Sequence, residues 1–361
     1  MEQPRQIPVP PNRSPKLTGT MAALLAALLF GASTPLAKLL LGEVEPVLLA
    51  GVFYLASGVL LLSWRAAKRA FGRPTEASLS RTDAPWVVGA TLAGGILGPL
   101  LLMVGLRSTA ASTASLLLNL EAVLTALLAW FVFHENVDRR IAAGMVAIVA
   151  GGVVLAWNDP SRPGLGAAAI AGACLAWAVD NNLTRRISAT DPLQVAGIKG
   201  LAAGLVNGAI GLAVNNGALP RPGALAAAAI VGSLGIGVSL TLFIRALRAL
   251  GTARTGAYFS TAPFLGASLA MVALHEPMTL RLGFAGGLMA AGVWLHLTEH
   301  HEHEHLHHVM EHEHSHVHDE HHRHEHSSEA PLGEPHTHGH RHELILHTHR
   351  HFPDIHHRHD H

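Results

Sequence analysis

Apolar residues arrive in ten long blocks separated by short polar or charged connections, and the blocks stop near residue 298. They cover roughly 18–41, 45–64, 85–106, 110–133, 140–157, 165–187, 192–214, 224–246, 253–274 and 281–298. A helix needs about 20 mostly apolar residues to cross a bilayer. Helices also satisfy their own backbone hydrogen bonds in lipid. The pattern therefore predicts an all-α integral membrane protein with ten transmembrane helices. Gly, Ala and Ser recur inside the blocks, as closely packed membrane helices require. Residues 1–16 are polar and Pro-rich and read as a disordered N-terminal tail. They do not read as a signal peptide, because the apolar block that follows is too long and no small-residue cleavage site stands out.

The blocks also repeat. At a fixed offset of 141 residues, Leu106/Leu247, Arg107/Arg248, Leu124/Leu265, Ala126/Ala267, Leu128/Leu269, Ala129/Ala270, His134/His275, Glu135/Glu276, Arg140/Arg281, Ala150/Ala291 and Gly151/Gly292 are identical. Self-similarity at a fixed period defines the architecture before any local motif is read. It divides the chain into a first repeat at 17–157, a second at 158–298 and a tail at 299–361. Five helices per repeat is an odd number, so the two copies insert in opposite directions.

Charge sets the orientation. Ten spans put both termini on one side. With that side inside, the inner segments carry fifteen Lys and Arg from Arg5 to Arg254, against four (Arg107, Arg162, Arg221, Arg281) in the outer connections. Cytoplasmic loops are the Lys/Arg-rich ones. The expectation is a multi-pass protein of the cell (inner) membrane with both termini in the cytoplasm. His134-Glu135 and His275-Glu276 then stand on opposite faces, too far apart to form one site.

Few polar residues interrupt the blocks, and those few are the candidates for chemistry. Glu121 sits midway along the fourth block beside Asn119, and a carboxylate at that depth is costly unless protonated, paired or facing water. It reads equally as a structural partner for a donor such as Arg245 or Lys199 and as a substrate or proton site. Asp180 and Asn181 in the sixth block and Lys199 in the seventh read as cavity lining or as helix-end polarity, with Lys199 free to snorkel or to pair with Asp180. Lys38, beyond Pro35 in the first block, reads as a snorkelling lysine or as a cation at the outer mouth of a cavity. Tyr258 precedes Pro263 at a candidate helix break. Cys174, the single cysteine, lies in an apolar run and reads as a packing residue.

These residues bear a family likeness. Phe30-Gly31 followed by Pro35 and Lys38, the Gly-rich third block (Gly89, Gly94, Gly95, Gly98), Leu120-Glu121-Ala122 running into Leu127, Leu128 and Trp130, and Glu135 and Glu276 before Gly-rich blocks resemble the EamA type of the drug/metabolite transporter superfamily. The resemblance covers about 280 residues. It implies a secondary carrier, most often an exporter, with two inverted five-helix repeats and substrates ranging over amino acids, other metabolites, drugs, sugars and nucleotide conjugates. No GxxxxGK[ST] phosphate loop is present, in keeping with a carrier that lacks an ATPase.

The tail changes the picture at one end. Residues 299–361 hold 25 of the 28 His. His301, His303, His305, His312, His314, His316, His336, His338, His340, His347, His349 and His351 form His-x-His runs. Neutral imidazole is a good ligand for Zn, Ni and Co. This composition cannot build a packed core, so the tail is expected to be disordered without metal, with 299–326 as a candidate polar continuation of the tenth helix. A pH-sensitive polycation is the other reading. Glu343-Leu344-Ile345-Leu346 and His351-Phe352-Pro353-Asp354-Ile355-His356-His357 hint at a short docking element.

Together these features predict an exporter of small organic metabolites or drugs working by alternating access, with a metal-binding cytoplasmic tail. The alternative is a divalent-cation (Ni, Co, Zn) efflux carrier. The expected partners are the bilayer, a small-molecule substrate and divalent ions, with association as a homodimer left open. No cofactor is required. No basic stripe with interleaved aromatics supports nucleic-acid binding, and no nucleophile–base constellation supports an enzyme.

Overall fold

The apolar blocks become helices in a computed structural model. The structure describes residues 13–72, 78–133, 139–157, 164–187, 190–250, 252–297, 302–307, 310–316, 336–342 and 345–350. The helices are α1 (Arg13–Leu40), α2 (Pro46–Ala70), α3 (Ala84–Ala90), α4 (Gly98–Ser108), α5 (Ala111–Leu117), α6 (Leu120–Phe133), α7 (Arg139–Ala156), α8 (Leu165–Arg185), α9 (Pro192–Val214), α10 (Pro222–Gly232), α11 (Ser239–Leu250), α12 (Thr252–Phe259), α13 (Ala262–Ala273) and α14 (Leu280–Leu297). Among the described residues, seven helical stretches are long and apolar enough to cross a membrane: Gly19–Leu40, Pro46–Ala70, Arg81–Ser108, Ala111–Val132, Arg139–Ala156, Pro192–Val214 and Pro222–Ala246. Ala262–Ala273 and Leu280–Leu295 are shorter apolar helices. Leu24, Val59, Leu92, Val146, Leu205, Ile230 and Phe284 are exposed on these helices. A water-soluble surface seldom shows so many large apolar side chains together, whereas lipid accepts them.

Two irregularities occur at matching places in both halves. Thr91–Leu97 and Ser233–Val238 are π-helical turns that join α3 to α4 and α10 to α11. The chain also breaks between α5 and α6 at Leu118–Asn119, and between α12 and α13 at Ser260–Thr261. The second break is the one expected ahead of Pro263. The first lies inside a block whose apolar pattern gives no sign of it. By contrast, α1 runs unbroken through the buried Pro35.

Lipid provides no hydrophobic drive for one helix to seek another, so close contact between small residues does the work. On α2, a Cβ built on Gly51 would lie 2.4 Å from the Gly208 nitrogen, and one on Gly58 would lie 2.3 Å from the Leu201 nitrogen. Glycine is what allows α2 and α9 to pack backbone to backbone. Helices α1 and α13 cross the same way at Gly31, where a Cβ would meet the Ala262 carbonyl oxygen at 2.3 Å.

Polar contacts tie the ends of the bundle. At one end, Lys38 Nζ donates to the carbonyls of Leu106, Arg107 and Thr109. The Glu276 carboxylate accepts from the Ala111 and Ser112 amides at 2.7 and 2.8 Å. Arg281 donates to the carbonyls of Val154, Leu155 and Trp157, and Arg221 pairs with Glu43. At the other end, the buried Arg65 donates through Nε to Asp191 at 2.7 Å and through Nη2 to Gln194 at 2.8 Å. Each set joins connections that the charge count assigns to one side.

Within the tail, Glu302–His307 (β1), Met310–His316 (β2), His336–His342 (β3) and Ile345–Arg350 (β4) are strands, with β1 paired to β4 and β2 to β3, both antiparallel. Their residues alternate with period two, which is the strand period and not the helical one.

Candidate functional site

A polar cluster forms where helices of the first half meet α8 and α9 of the second, and the sequence places it there through α8. Trp177 and Asn181 stand one turn apart on that helix, and so do Asp180 and Thr184. Asn181 Nδ2 donates to Glu121 Oε1 at 2.9 Å and lies 3.3 Å from Thr125 Oγ1, both on α6. Asp180 turns the other way and pairs with Lys199 on α9. Thr184 Oγ1 donates to the same Asp180 oxygen at 2.8 Å and lies 3.4 Å from Lys199 Nζ. Asp180 is buried, Lys199 and Glu121 are half-buried, and Asn181 is open to its surroundings.

The first π turn supplies the floor. A π turn leaves carbonyls outside the regular helical ladder, and they find side-chain donors here. Gly94 O accepts from Trp177 Nε1 at 2.9 Å and from the Tyr54 hydroxyl at 3.1 Å. Gly95 O accepts from Asn207 Nδ2 at 3.1 Å. A Cβ on Gly94 would lie 1.9 Å from Asp180 Oδ2, so only glycine lets the carboxylate seat against this turn.

The five helical segments that supply these residues come from both halves, and the broken helix α5–α6 delivers Glu121 in the first turn after its break. In the second half, Ala262 and Pro263 stand at the corresponding place. The cluster is therefore charged on one side of the pseudo-symmetry only. Ser33 makes the same point. A Cβ on Gly235, in the second π turn, would lie 2.7 Å from Ser33 Cβ. Ser33 thus stands against Gly235 as Asp180 stands against Gly94, with a hydroxyl in place of a charge.

Of the residues singled out from sequence, Glu121, Asp180, Asn181 and Lys199 are brought together. The others lie elsewhere. Lys38 caps the carboxyl end of α4, as described above. Asn119 is buried at the α5–α6 break, where its Nδ2 donates to Leu116 O at 2.9 Å. Tyr258 sits near the end of α12, and its carbonyl accepts from Thr261 Oγ1 at 2.6 Å. An aromatic set formed by Phe30, Phe243 and Phe259 stands beside it, with ring centroids 5.4 and 4.8 Å from Phe259. Tyr54, Thr125, Thr184 and Asn207 belong to the cluster without having stood out. Tyr54, Thr125 and Asn207 each stand between apolar neighbours, and Thr184 lies one turn beyond Asp180. Of the twelve tail histidines, His301 and His351 lie outside the described residues, and the other ten fall within the four strands.

Known proteins agree with this architecture. The profile of the EamA-like transporter family matches twice, over residues 17–157 and 164–298. An uncharacterized transporter of Methanothermobacter thermautotrophicus is 29% identical over 296 residues, which is 78% of this chain and 86% of the relative. A probable 4-amino-4-deoxy-L-arabinose-phosphoundecaprenol flippase subunit, ArnE of Pseudomonas aeruginosa, is 45% identical over 76 residues, 21% of this chain and 65% of that subunit. A solved crystal structure shares the fold with a TM-score of 0.55 at 22% identity, covering 78% of this chain and 95% of that one.

Proposed function

Because the chain belongs to the EamA-like transporter family, we propose that it is a secondary carrier that exports small organic solutes through ten spans arranged as two inverted five-helix repeats. One observation carries this reading. Interrupted helices recur at the same place in both halves, and those of the first half line a polar cluster shared with α8 and α9 of the second. Carriers built from inverted repeats bind substrate near the midplane at such discontinuous helices. Rocking of one half against the other would expose the cluster first to the cytoplasm and then to the outside.

The residues indicate the class of substrate. Asp180 and Lys199 offer opposite charges side by side, while Glu121 and Asn181 offer an acceptor and an amide. A zwitterionic or anionic organic solute with a hydrogen-bonding head suits that set. The substrate named for the flippase subunit combines an amine and a phosphate, which is the same pairing of charges. Glu121 exchanges its Asn181 hydrogen bond for substrate or for a proton, coupling export to proton entry. The family's diverse cargo is accommodated by the Phe30, Phe243 and Phe259 set.

The tail would bind Zn, Ni or Co at the cytoplasmic face and buffer or sense the ion. Among the described residues, no three His, Cys, Asp or Glu side chains gather as a metal site.

Counterflow in proteoliposomes with a panel of amino acids, aminosugar phosphates and drugs tests the reading. Glu121→Gln should retain folding but flatten the pH dependence of flux. Unchanged flux with an unchanged pH profile would remove the proton role from Glu121.

A further inference from the structure

Two positions at the broken helices are related by the 141-residue offset, and the contact is made at only one of them. Ser115 on α5 corresponds to Gly256 on α12, and Thr125 on α6 corresponds to Gly266 on α13. A Cβ built on Gly266 would lie 2.9 Å from Ser115 Oγ and 2.6 Å from the Gly31 carbonyl oxygen, so α5, α13 and α1 close on one another there. The offset maps the Ser115–Gly266 contact onto Gly256 and Thr125. A Cβ built on Gly256 meets no atom of the described residues within 4 Å, and Gly256 is exposed. Thr125 is half-buried, and Asn181 Nδ2 lies 3.3 Å from its hydroxyl.

Burial on either side of the breaks follows the same division. Residues 114–119 are all buried, whereas residues 124–128 are all half-buried. On α13, Ala262, Gly266, Ala267 and Ala270 are buried. Asn181 is exposed although its amide donates into the bundle, to Glu121. The Glu276 carboxylate reaches from the second half to the α5 amides of the first. His275, at φ 52°, turns the chain out of α13 just before it. The bundle is thus shut where α5 meets α13, and α6 is less enclosed beyond the break. The shut contact holds one unusual group. Ser115 is 1% exposed, and its hydroxyl has no hydrogen-bond partner among the described residues. A buried donor left unpaired costs free energy that water restores on exposure.

We propose that these positions are the two gates of the carrier: a hydroxyl of the first half closes against a glycine of the second, Ser115 on Gly266 at one face and Thr125 on Gly256 at the other, and the two closures alternate. The proposal rests on the reading of the chain as an inverted-repeat carrier and adds which residues seal each side. In such carriers one side opens as the other closes around a fixed site. Glycine lets each pair of helices approach to backbone contact. Shutting the first gate strands the Ser115 hydroxyl, and shutting the second takes Thr125 from Asn181. Each closure carries a polar cost, so neither gate locks.

The test is a disulfide across the gate that stands open here. Thr125→Cys and Gly256→Cys are combined in a Cys174→Ala background, since a side chain at Gly266 would strike Gly31. The full chain in lipid nanodiscs is oxidised with diamide, and intramolecular bridging is followed with time. Both faces meet the reagent, so orientation does not enter. The pair should bridge. Ser115→Ala removes the stranded hydroxyl, deepens closure of the first gate and should slow bridging about tenfold. Glu276→Ala frees α5 and should speed it. A second readout needs no pair: Ala270→Cys, buried one turn beyond Gly266, should react with maleimide more slowly in Ser115→Ala and faster in Glu276→Ala. Absence of a bridge in a chain that elutes as the parent does, or rates at both readouts indifferent to Ser115 and Glu276, overturns the paired gates. Neither readout needs cargo. Failed gates therefore leave the counterflow result standing, and failed counterflow beside gated bridging removes the export reading alone.

Discussion

Asp180 reaches three elements at once: Thr184 on its own helix, Lys199 on α9 and the bare face of Gly94 on the first π turn. Breaking a buried pair by removing one partner strands the other charge, which costs far more than the pair contributes when intact. Asp180→Asn should therefore lower stability by about 3 kcal/mol, read as a lower unfolding temperature in detergent. Asp180→Leu combined with Lys199→Met should restore the unfolding temperature but not the flux, which separates a structural pair from a working one. The pair was legible in sequence because two opposite charges inside apolar helices have few choices of partner. Glu121 was legible as a position but not by its partner, since a neutral amide carries no such compulsion. Lys38 was the reverse case. It looked like part of a cavity, yet the carbonyls left over at the end of α4 claim it, and unpaired helix-end carbonyls leave no trace in composition.

Helix ends supply the next level of order. Glu276 accepts from two amides at the start of α5, where the helix dipole also favours a carboxylate. Glu276→Ala should cost about 1–2 kcal/mol, while Glu276→Gln, which keeps an acceptor, should cost less. The 141-residue offset carries the argument across the bundle. Ala111 and Ser112 correspond to Thr252 and Ala253 at the start of α12, and Glu276 corresponds to Glu135. Glu135 lies outside the described residues, yet its substitution by Ala should destabilise the protein to a similar extent, measured by the same thermal unfolding. Equal loss from both would show that the repeated His-Glu pair serves helix capping at both ends. The helices themselves followed from apolar block length, but their internal breaks did not. A single amide at Asn119 inside an apolar block does not announce a break, and only Pro263 marked the second. Glycine content announced that the third block would pack closely or bend; it did not announce a π turn.

At the scale of the molecule, the charge count and the repeat period were readable from sequence because both are sums over many residues. The opposed insertion of the halves has a direct check. In a Cys174→Ala background, Phe71→Cys and Leu219→Cys place thiols in exposed connections after α2 and α9. A membrane-impermeant maleimide added to intact cells should label position 219 and spare position 71 until the membrane is opened. Labelling of both from outside would contradict the orientation. The near-match of Ser33 on Gly235 with Asp180 on Gly94 has a consequence for the working cycle. Two chemically identical halves would make the inward-facing and outward-facing carrier mirror images of equal energy, and the empty protein would rest either way. Here the two π turns occupy matching places, but the acid–base pair and Glu121 gather at the first and not at the second. In a carrier that alternates as proposed, the two orientations would therefore differ in energy, the unloaded protein would have a preferred resting side, and the affinity met by cargo on arrival would differ from the affinity it must overcome on release.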